Sequence, residues 1–225
     1  MRIPYDVPVP LGREFIELSA DITAAILVTL LAGWESATRS IYLTPQAGEV
    51  AITERLRDGM RAVLKAHRYA WSKSMTVLPG TESRSDARVL LPDGRTDIPI
   101  FLIEVFLRSE EHDPHAVIEC KRIAGGNRHL CREYIVEGVD RFRVGKYGKN
   151  HAVGFMVGYL LSGRASEAVA DVNAYLTRKS RQSEHLQPAY VAEGTPSWAS
   201  QHARVAPSSP ITLHHSFFGF SPGIG

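Results

Sequence analysis

One apolar stretch in the middle of the chain carries two charged residues where a buried strand would carry none. Residues 115–123, HAVIECKRI, have the composition and length of a β-strand, yet Glu119 and Lys121 interrupt the run. Because side chains alternate across a strand, Glu119 and Lys121 project from one face, while Ile118 and Cys120 project from the other. An acid and an amine therefore share one surface of the predicted sheet, and we expect that surface to line a solvated cleft.

Hydrophobic periodicity divides the rest of the chain into helices and strands. Apolar residues at three- and four-residue steps predict helices over residues 13–39 and 48–67. From residue 74, short Val-, Ile- and Phe-rich runs separated by Pro-Gly, Pro-Asp-Gly and a charged turn predict an antiparallel meander. Its runs are residues 75–83, 87–106 and 115–123.

A parallel crossover is predicted after this meander. Cys131, Ile135, Val139 and Phe142 mark a helix, residues 151–161 form a nearly continuous apolar strand, and a further helix spans about residues 168–176. A strand, a helix and a second strand in this order indicate two parallel strands joined by the helix.

The C-terminal part changes character. Residues 180–210 are rich in Ser, Pro, Gln, Gly and Ala without periodicity, which predicts a long surface loop before a terminal strand at 211–220. A linker to a second domain is the alternative, but the 15 residues after position 210 are too few for a separate core. We therefore expect one α/β domain over residues 1–225, with an extra N-terminal helix.

Composition limits the location and the partners. With 26 basic and 24 acidic residues the formal net charge is +2, so a nucleic-acid partner would have to bind a local patch. Two cysteines fit a reducing compartment. The longest apolar run, residues 22–34, is shorter than the roughly 20 residues that cross a bilayer. Prolines and an aspartate stand in residues 1–12 where a signal peptide is basic and then apolar, so we expect a cytoplasmic protein without a membrane span.

A second carboxylate precedes the Glu119 strand. Asp97 begins the strand in GRTDIPIFL, 22 residues before Glu119, and the turn near residues 108–114 is predicted to fold the two strands into a hairpin. Asp97, Glu119 and Lys121 then converge. This arrangement resembles the PD-(D/E)XK nuclease superfamily, with Thr96-Asp97 in place of its Pro-Asp and Glu119-Cys120-Lys121 as its acid-x-lysine element. The resemblance covers about residues 46–178.

The resemblance implies a restriction-endonuclease-like core that hydrolyses DNA phosphodiester bonds with Mg²⁺ or Mn²⁺, in which carboxylates hold the metal ion. In the family's pattern Asp97, Glu119 and the backbone carbonyl of Cys120 are metal ligands, and Lys121 orients or activates the attacking water. Many members add a glutamate on the helix before the sheet as a further metal ligand. Glu49, on the inward stripe of the second helix, is our candidate for it, with Glu54 as its competitor and Asp86 as a more distant candidate.

A basic segment follows the motif. Residues 121–149 contain eight basic and three acidic residues, which predicts contact with a phosphate backbone next to the metal site. The residues expected to bind the substrate are Arg122, Tyr134, Arg141 and Lys146, and Tyr147 is expected to add a further contact. A solvated helix face followed by a loop is the alternative interpretation.

Other motifs give little support to other chemistry. His214 and His215 point to opposite faces of the terminal strand, so they are expected to be core or interface residues. No nucleophile elbow, Walker loop or dinucleotide fingerprint is present, which leaves acyl transfer, NTP hydrolysis and hydride transfer without support. The alternatives to a DNA nuclease are a non-catalytic nucleic-acid-binding or assembly module of the same fold and a nuclease acting on RNA. Restriction or anti-phage defence, as a homo-oligomer or within a complex, is the setting that the resemblance suggests.

Overall fold

A mixed sheet forms the centre of the molecule. The computed structural model describes residues 15–40, 43–83, 94–190, 196–204 and 209–220. In these residues the strands are β1 (Met75–Val77), β2 (Glu82–Ser83), β3 (Gly94–Arg95), β4 (Ile98–Leu102), β5 (Ala116–Ile123), β6 (Val153–Leu160), β7 (Gln187–Tyr190), β8 (Pro196–His202) and β9 (Ile211–Gly219). Seven of them form one sheet in the order β1-β4-β5-β6-β9-β8-β7, and β2 pairs with β3 separately.

The strand directions confirm the predicted α/β class. β4 is antiparallel to both β1 and β5, as the meander predicted. β6 lies between β5 and β9 and is parallel to both, so the predicted crossover is also confirmed. β8 is antiparallel to β9 and to β7, which makes four of the six pairings in the sheet antiparallel.

Helices cover both faces of the sheet. They are α1 (Ala20–Ser40), α2 (Glu49–Lys65), α3 (Ile103–Ser109), α4 (Arg128–Tyr134), α5 (Asp140–Arg143) and α6 (Ala165–Arg178), and a π-helical segment (Ile135–Val139) joins α4 to α5. Helices α1 and α2 share a core with Ile118 and Cys120 of β5. Helices α4 and α6 and the π segment pack on the other face, with Val117 and Ile123. The side chains of Glu119 and Lys121 lie on the opposite face of β5 from Ile118 and Cys120, so they point towards the π segment.

Helix α1 begins later than the periodicity predicted. Residues 13 and 14 lie outside the described residues, and Ile16 forms a β-bridge with His151 instead of a helical turn. By length and composition α1 is apolar enough to cross a membrane, but half of its apolar window is buried within the protein. Trp34 stacks on Tyr159 and Phe218, so this part of α1 packs on the sheet.

Two segments of the predicted meander and loop fold differently from expectation. Residues 103–106 begin helix α3, because the ring of His115 accepts the backbone N–H of Leu102 and ends the β4 ladder there. Residues 180–210 are not one loop, since β7 and β8 extend the sheet beyond β9. The buried residues of β8 include Ser197, Ser200 and His202, which are polar, so the strand lacks an apolar alternation.

Candidate active site

The antiparallel pairing of β4 and β5 brings Asp97 to Glu119. Ile98 lies opposite Ile118, and continuing this register by one residue places Asp97 opposite Glu119. The Oδ2 atom of Asp97 accepts the backbone N–H of Cys120 at 2.8 Å, which fixes the carboxylate beside the strand. Burial raises the pKa of Asp97, although the charge of Lys121 and the Cys120 N–H act in the opposite direction. The structure therefore brings the first two predicted acids together.

The ammonium group of Lys121 lies among three oxygen acceptors. Its Nζ is 2.9 Å from Glu119 Oε1, 3.1 Å from Glu49 Oε1 and 3.0 Å from the backbone carbonyl oxygen of Cys120. Burial by itself would lower the pKa of Lys121, but the carboxyl groups around it raise that pKa above its ordinary value. Lys121 therefore stays charged, and its ammonium group joins Glu119 to Glu49.

Glu119 is fully buried, so the expected solvated cleft was wrong. Its Oε1 accepts hydrogen bonds from Lys121 and from Arg141, whose Nη1 lies 3.1 Å away. The helical layer closes over this part of β5 through the π segment, where a Cβ added to Gly138 would lie 3.4 Å from Lys121 Cγ. Burial and the nearby Asp97 raise the pKa of Glu119 to about 8, against the lowering effect of the two cations.

Together these charged side chains form an ion-pair cluster of Asp97, Glu119, Lys121, Glu49 and Arg141. A tyrosine connects this cluster to the β2–β3 hairpin. The hydroxyl of Tyr147 accepts a hydrogen bond from Arg141 Nη1 at 2.8 Å and donates to the backbone carbonyl of Arg95, also at 2.8 Å. Tyr147 is buried, and the Arg141 guanidinium lies 5.5 Å from the centre of its ring. Sequence reasoning gave Tyr147 only a general contact role, because its bridge depends on where the hairpin lies in space.

The structure distinguishes the two candidate glutamates on α2. Glu49 is the first residue of the helix and accepts from both Lys121 Nζ and the backbone N–H of Arg122, at 3.1 and 3.0 Å. Glu54 instead pairs with Arg57 on its own helix. Glu49 is thus the acid of this pair that reaches the site, as its inward position predicted. Asp86 lies outside the described residues.

Tyr134 does not belong to the surface of the site. It is fully buried, and its hydroxyl bonds to Nδ1 of His215 at 2.8 Å. The expectation that Tyr134 faces substrate together with Arg141 is therefore wrong, because α4 turns this residue into the core. Arg122 and Lys146 are half-buried, and Lys146 lies against Gly94 of the β2–β3 hairpin.

The side chains fit a hard divalent cation through two carboxylates. In the described parts of the chain no three His, Cys, Asp or Glu side chains are grouped closely enough to hold a metal. Mg²⁺ commonly takes only one or two protein carboxylates and completes its shell with water and substrate phosphate oxygens. Asp97 and Glu119 supply that pair, and Glu119 Oε2 is buried without a hydrogen-bond partner among the described residues. An unpaired buried carboxylate oxygen is costly unless a ligand completes it.

Comparisons of the chain with models of protein families, with curated proteins and with solved structures found no significant match.

Proposed function

We propose that this protein is a metal-dependent phosphodiesterase of the PD-(D/E)XK type that hydrolyses DNA. The element order supports it: α2, the antiparallel strands β1, β4 and β5, the α4–α5 helix, β6 and α6 follow the order of a restriction-endonuclease-like core. The observation that carries the proposal is the cluster itself. Asp97 lies opposite Glu119, and Lys121 contacts Glu119 at 2.9 Å from the same face of β5.

Each residue of the cluster has a role in this chemistry. Mg²⁺ or Mn²⁺ held by Asp97 and Glu119 would stabilise negative charge on the phosphate oxygens. The Cys120 N–H fixes the carboxylate of Asp97, and Glu49 holds Lys121 from the other side. Lys121, which stays protonated, places its positive charge beside the attacking water and the phosphate.

Basic residues next to the cluster support a nucleic-acid substrate. Arg141 contacts Glu119 directly, Arg122 follows Lys121 on β5, and Lys146 adjoins the hairpin that Tyr147 ties to Arg141. Their positive charge suits the phosphates on either side of the scissile bond. The proposal includes a cytoplasmic location and a role in restriction or anti-phage defence, as a homo-oligomer or as part of a complex.

One observation favours a second candidate, a non-catalytic nucleic-acid-binding or assembly module. Glu119 has no exposed surface and already forms ion pairs with two cationic side chains, Lys121 and Arg141. A closed ion-pair cluster of this kind can serve the fold alone. A nuclease acting on RNA uses the same residues as the DNA enzyme, so only the substrate separates those two functions.

Cleavage assays test the proposal directly. Supercoiled plasmid, linear duplex and single-stranded RNA are incubated with the purified chain in Mg²⁺, in Mn²⁺ and in EDTA. We expect metal-dependent DNA cleavage that Glu119→Gln abolishes and that the exposed-site control Glu35→Gln retains. Cleavage of RNA alone would move the assignment to RNA. No cleavage of any substrate, with nucleic-acid binding intact, would favour the non-catalytic module.

A further inference from the structure

Five buried side chains outside the candidate active site form one continuous hydrogen-bonded chain. The Tyr134 hydroxyl lies 2.8 Å from His215 Nδ1, and His215 Nε2 lies 2.8 Å from Ser200 Oγ. Ser200 Oγ lies 2.7 Å from His202 Nε2, and His202 Nδ1 lies 2.5 Å from Glu184 Oε2. These residues come from α4, β9, β8 and the short turn before β7, and none exposes more than 8% of its surface.

The four hydrogen bonds of this side-chain network need four hydrogens. Tyr134, Ser200 and two neutral histidines, His202 and His215, supply one each. The carboxylate of Glu184 only accepts, so His202 carries its hydrogen on Nδ1 and accepts the Ser200 hydroxyl hydrogen on Nε2. Ser200 then accepts from His215 Nε2–H, and the Tyr134 hydroxyl donates to His215 Nδ1. Every donor finds an acceptor, and all four bonds run in one direction from Tyr134 to Glu184.

A fifth hydrogen has no place in the chain. If His202 gains a proton on Nε2, that N–H competes with the Ser200 hydroxyl for the same bond. Whichever way the remaining bonds reorient, one buried hydroxyl or ring hydrogen is left without an acceptor among the described residues. An unpaired buried donor destabilises the folded state enough to raise the equilibrium constant for local opening about tenfold or more.

The charged groups around the two histidines sum to zero net charge when both histidines are neutral. Glu184 contacts Arg181 and Arg143, and Arg181 also contacts Asp140. Two carboxylates and two guanidinium groups therefore surround the outer end of the chain. Burial would raise the pKa of Glu184, but hydrogen bonds from His202 and Arg181 lower it to about 2. At the inner end burial lowers the pKa of His215 well below its ordinary value, with smaller effects from His202 and His214.

The five hydrogen-bonded side chains and their charged partners contact both ends of the π segment. Tyr134 is the last residue of α4, directly before the segment, and Asp140 is the first residue of α5, directly after it. Between them lies Gly138, which packs against Lys121. At one end of the irregular helix Tyr134 bonds to His215 of β9, and at the other end Asp140 bonds to Arg181, which pairs with Glu184 in the turn before β7.

We propose that Tyr134, His215, Ser200, His202 and Glu184 form a latch, directed from Tyr134 to Glu184, that holds the α4–π–α5 helix to the sheet and opens when an additional proton enters the chain. The inference concerns a different set of residues from the proposed nuclease chemistry and stands without it. Ser200 is not a nucleophile in this arrangement, because it is buried and both histidines occupy its oxygen.

Ring tautomers give the first test. Long-range ¹H–¹⁵N spectra of the ¹⁵N-labelled chain at pH 7.5 should show His202 with its hydrogen on Nδ1 and His215 with its hydrogen on Nε2. Assignment comes from His202→Gln and His215→Gln, each of which removes one set of signals. The reverse tautomers, or a doubly protonated His202 at pH 7.5, would overturn the directed chain.

Hydrogen exchange gives the second test, with protection factors corrected for intrinsic rates at pH 7.5 and 5.5. We expect residues 128–143, 196–202 and 211–219 to lose protection about tenfold at pH 5.5, while α2 keeps its protection. His202→Gln should remove this acid response, and the matched control His185→Gln should retain it. If His202→Gln does not fold, Ser200→Ala should interrupt the response between β8 and α4. Equal protection at both pH values in the unmodified chain would disprove the latch.

Discussion

The Nζ atom of Lys121 lies 2.9 Å from Glu119 Oε1 in a place that solvent barely reaches, with the glutamate fully buried and the lysine 8% exposed. A pair of this kind behaves differently from a salt bridge on a surface. Each partner depends on the other once Glu119 is ionised, because removing one then leaves a buried charge without compensation. Both the stability of the fold and the chemistry of the site should therefore respond to changes at these two positions.

Removal of Lys121 alone should destabilise the protein. At pH 9, where Glu119 with its pKa of about 8 is ionised, we expect Lys121→Met to lower the free energy of unfolding by about 3 kcal/mol, since Glu119 and Asp97 lose their principal cation. Glu119→Gln combined with Lys121→Met should recover most of that loss, because the double variant leaves no unpaired lysine–glutamate charge. Urea denaturation of the two single variants and the double variant measures the coupling. Additive effects would show that the two side chains do not depend on one another.

Stability should decrease as the pH rises, owing to Glu119. Its pKa is about 8 in the folded protein and near the ordinary 4.5 when unfolded, so the folded state retains a proton that the unfolded state releases. This contribution is complete below about pH 4.5 and is lost as the pH rises through 8. The difference in unfolding free energy between the unmodified chain and Glu119→Gln, measured in EDTA from pH 5 to 9, should fall steadily. A difference independent of pH would contradict the buried carboxyl group.

Metal binding should release a proton from the same group. Mn²⁺ titrated calorimetrically in buffers of different ionisation enthalpy should show close to one proton released per ion at pH 7, because a carboxylate ligand must be deprotonated. Asp97→Asn and Glu119→Gln should each weaken binding at least about tenfold. Ca²⁺ should support DNA binding without turnover, since its larger shell orients the water poorly. Cleavage that continues in EDTA would exclude this mechanism.

Tyr147 should matter for activity as well as for stability. Tyr147→Phe removes the hydroxyl that joins Arg141 to the Arg95 carbonyl, and the loss of one charged and one neutral hydrogen bond should cost the fold about 2 kcal/mol. We expect the rate of single-turnover cleavage to fall tenfold or more, because Arg141 would no longer be held in position at the site. Tyr175→Phe on α6 is the control. Equal losses of activity in both variants would remove Tyr147 from the site.

The basic residues should contribute to affinity without reading sequence. On an inactive Asp97→Asn background, Arg141→Ala and Lys146→Ala should each reduce the slope of log affinity against log salt by about one on duplex DNA. The loss should be similar on two unrelated sequences. Arg178→Ala on the exposed face of α6 serves as the control. An unchanged slope in the first two variants would place the DNA on another face of the protein.

Part of this site could be predicted from the sequence because it depends on local geometry. The alternation of a strand put Glu119 and Lys121 on one face, and the same rule sent His214 and His215 to opposite faces, where they contact Phe155 and Tyr134 respectively. Helical phase favoured Glu49 over Glu54. The meander and the crossover also followed from periods of two and of 3.6 residues.

Only the tertiary structure decided the environment of those residues. The burial of Glu119, the bridge from Arg141 through Tyr147 to the hairpin, and the inward turn of Tyr134 all depend on residues far apart in the chain. β7 and β8 escaped prediction for a related reason, because Ser200 and His202 are buried through hydrogen bonds rather than through apolar side chains. Local sequence determines which side of a strand or helix a residue occupies, whereas packing between elements determines whether that side meets solvent, another charge or a hydrogen-bond partner.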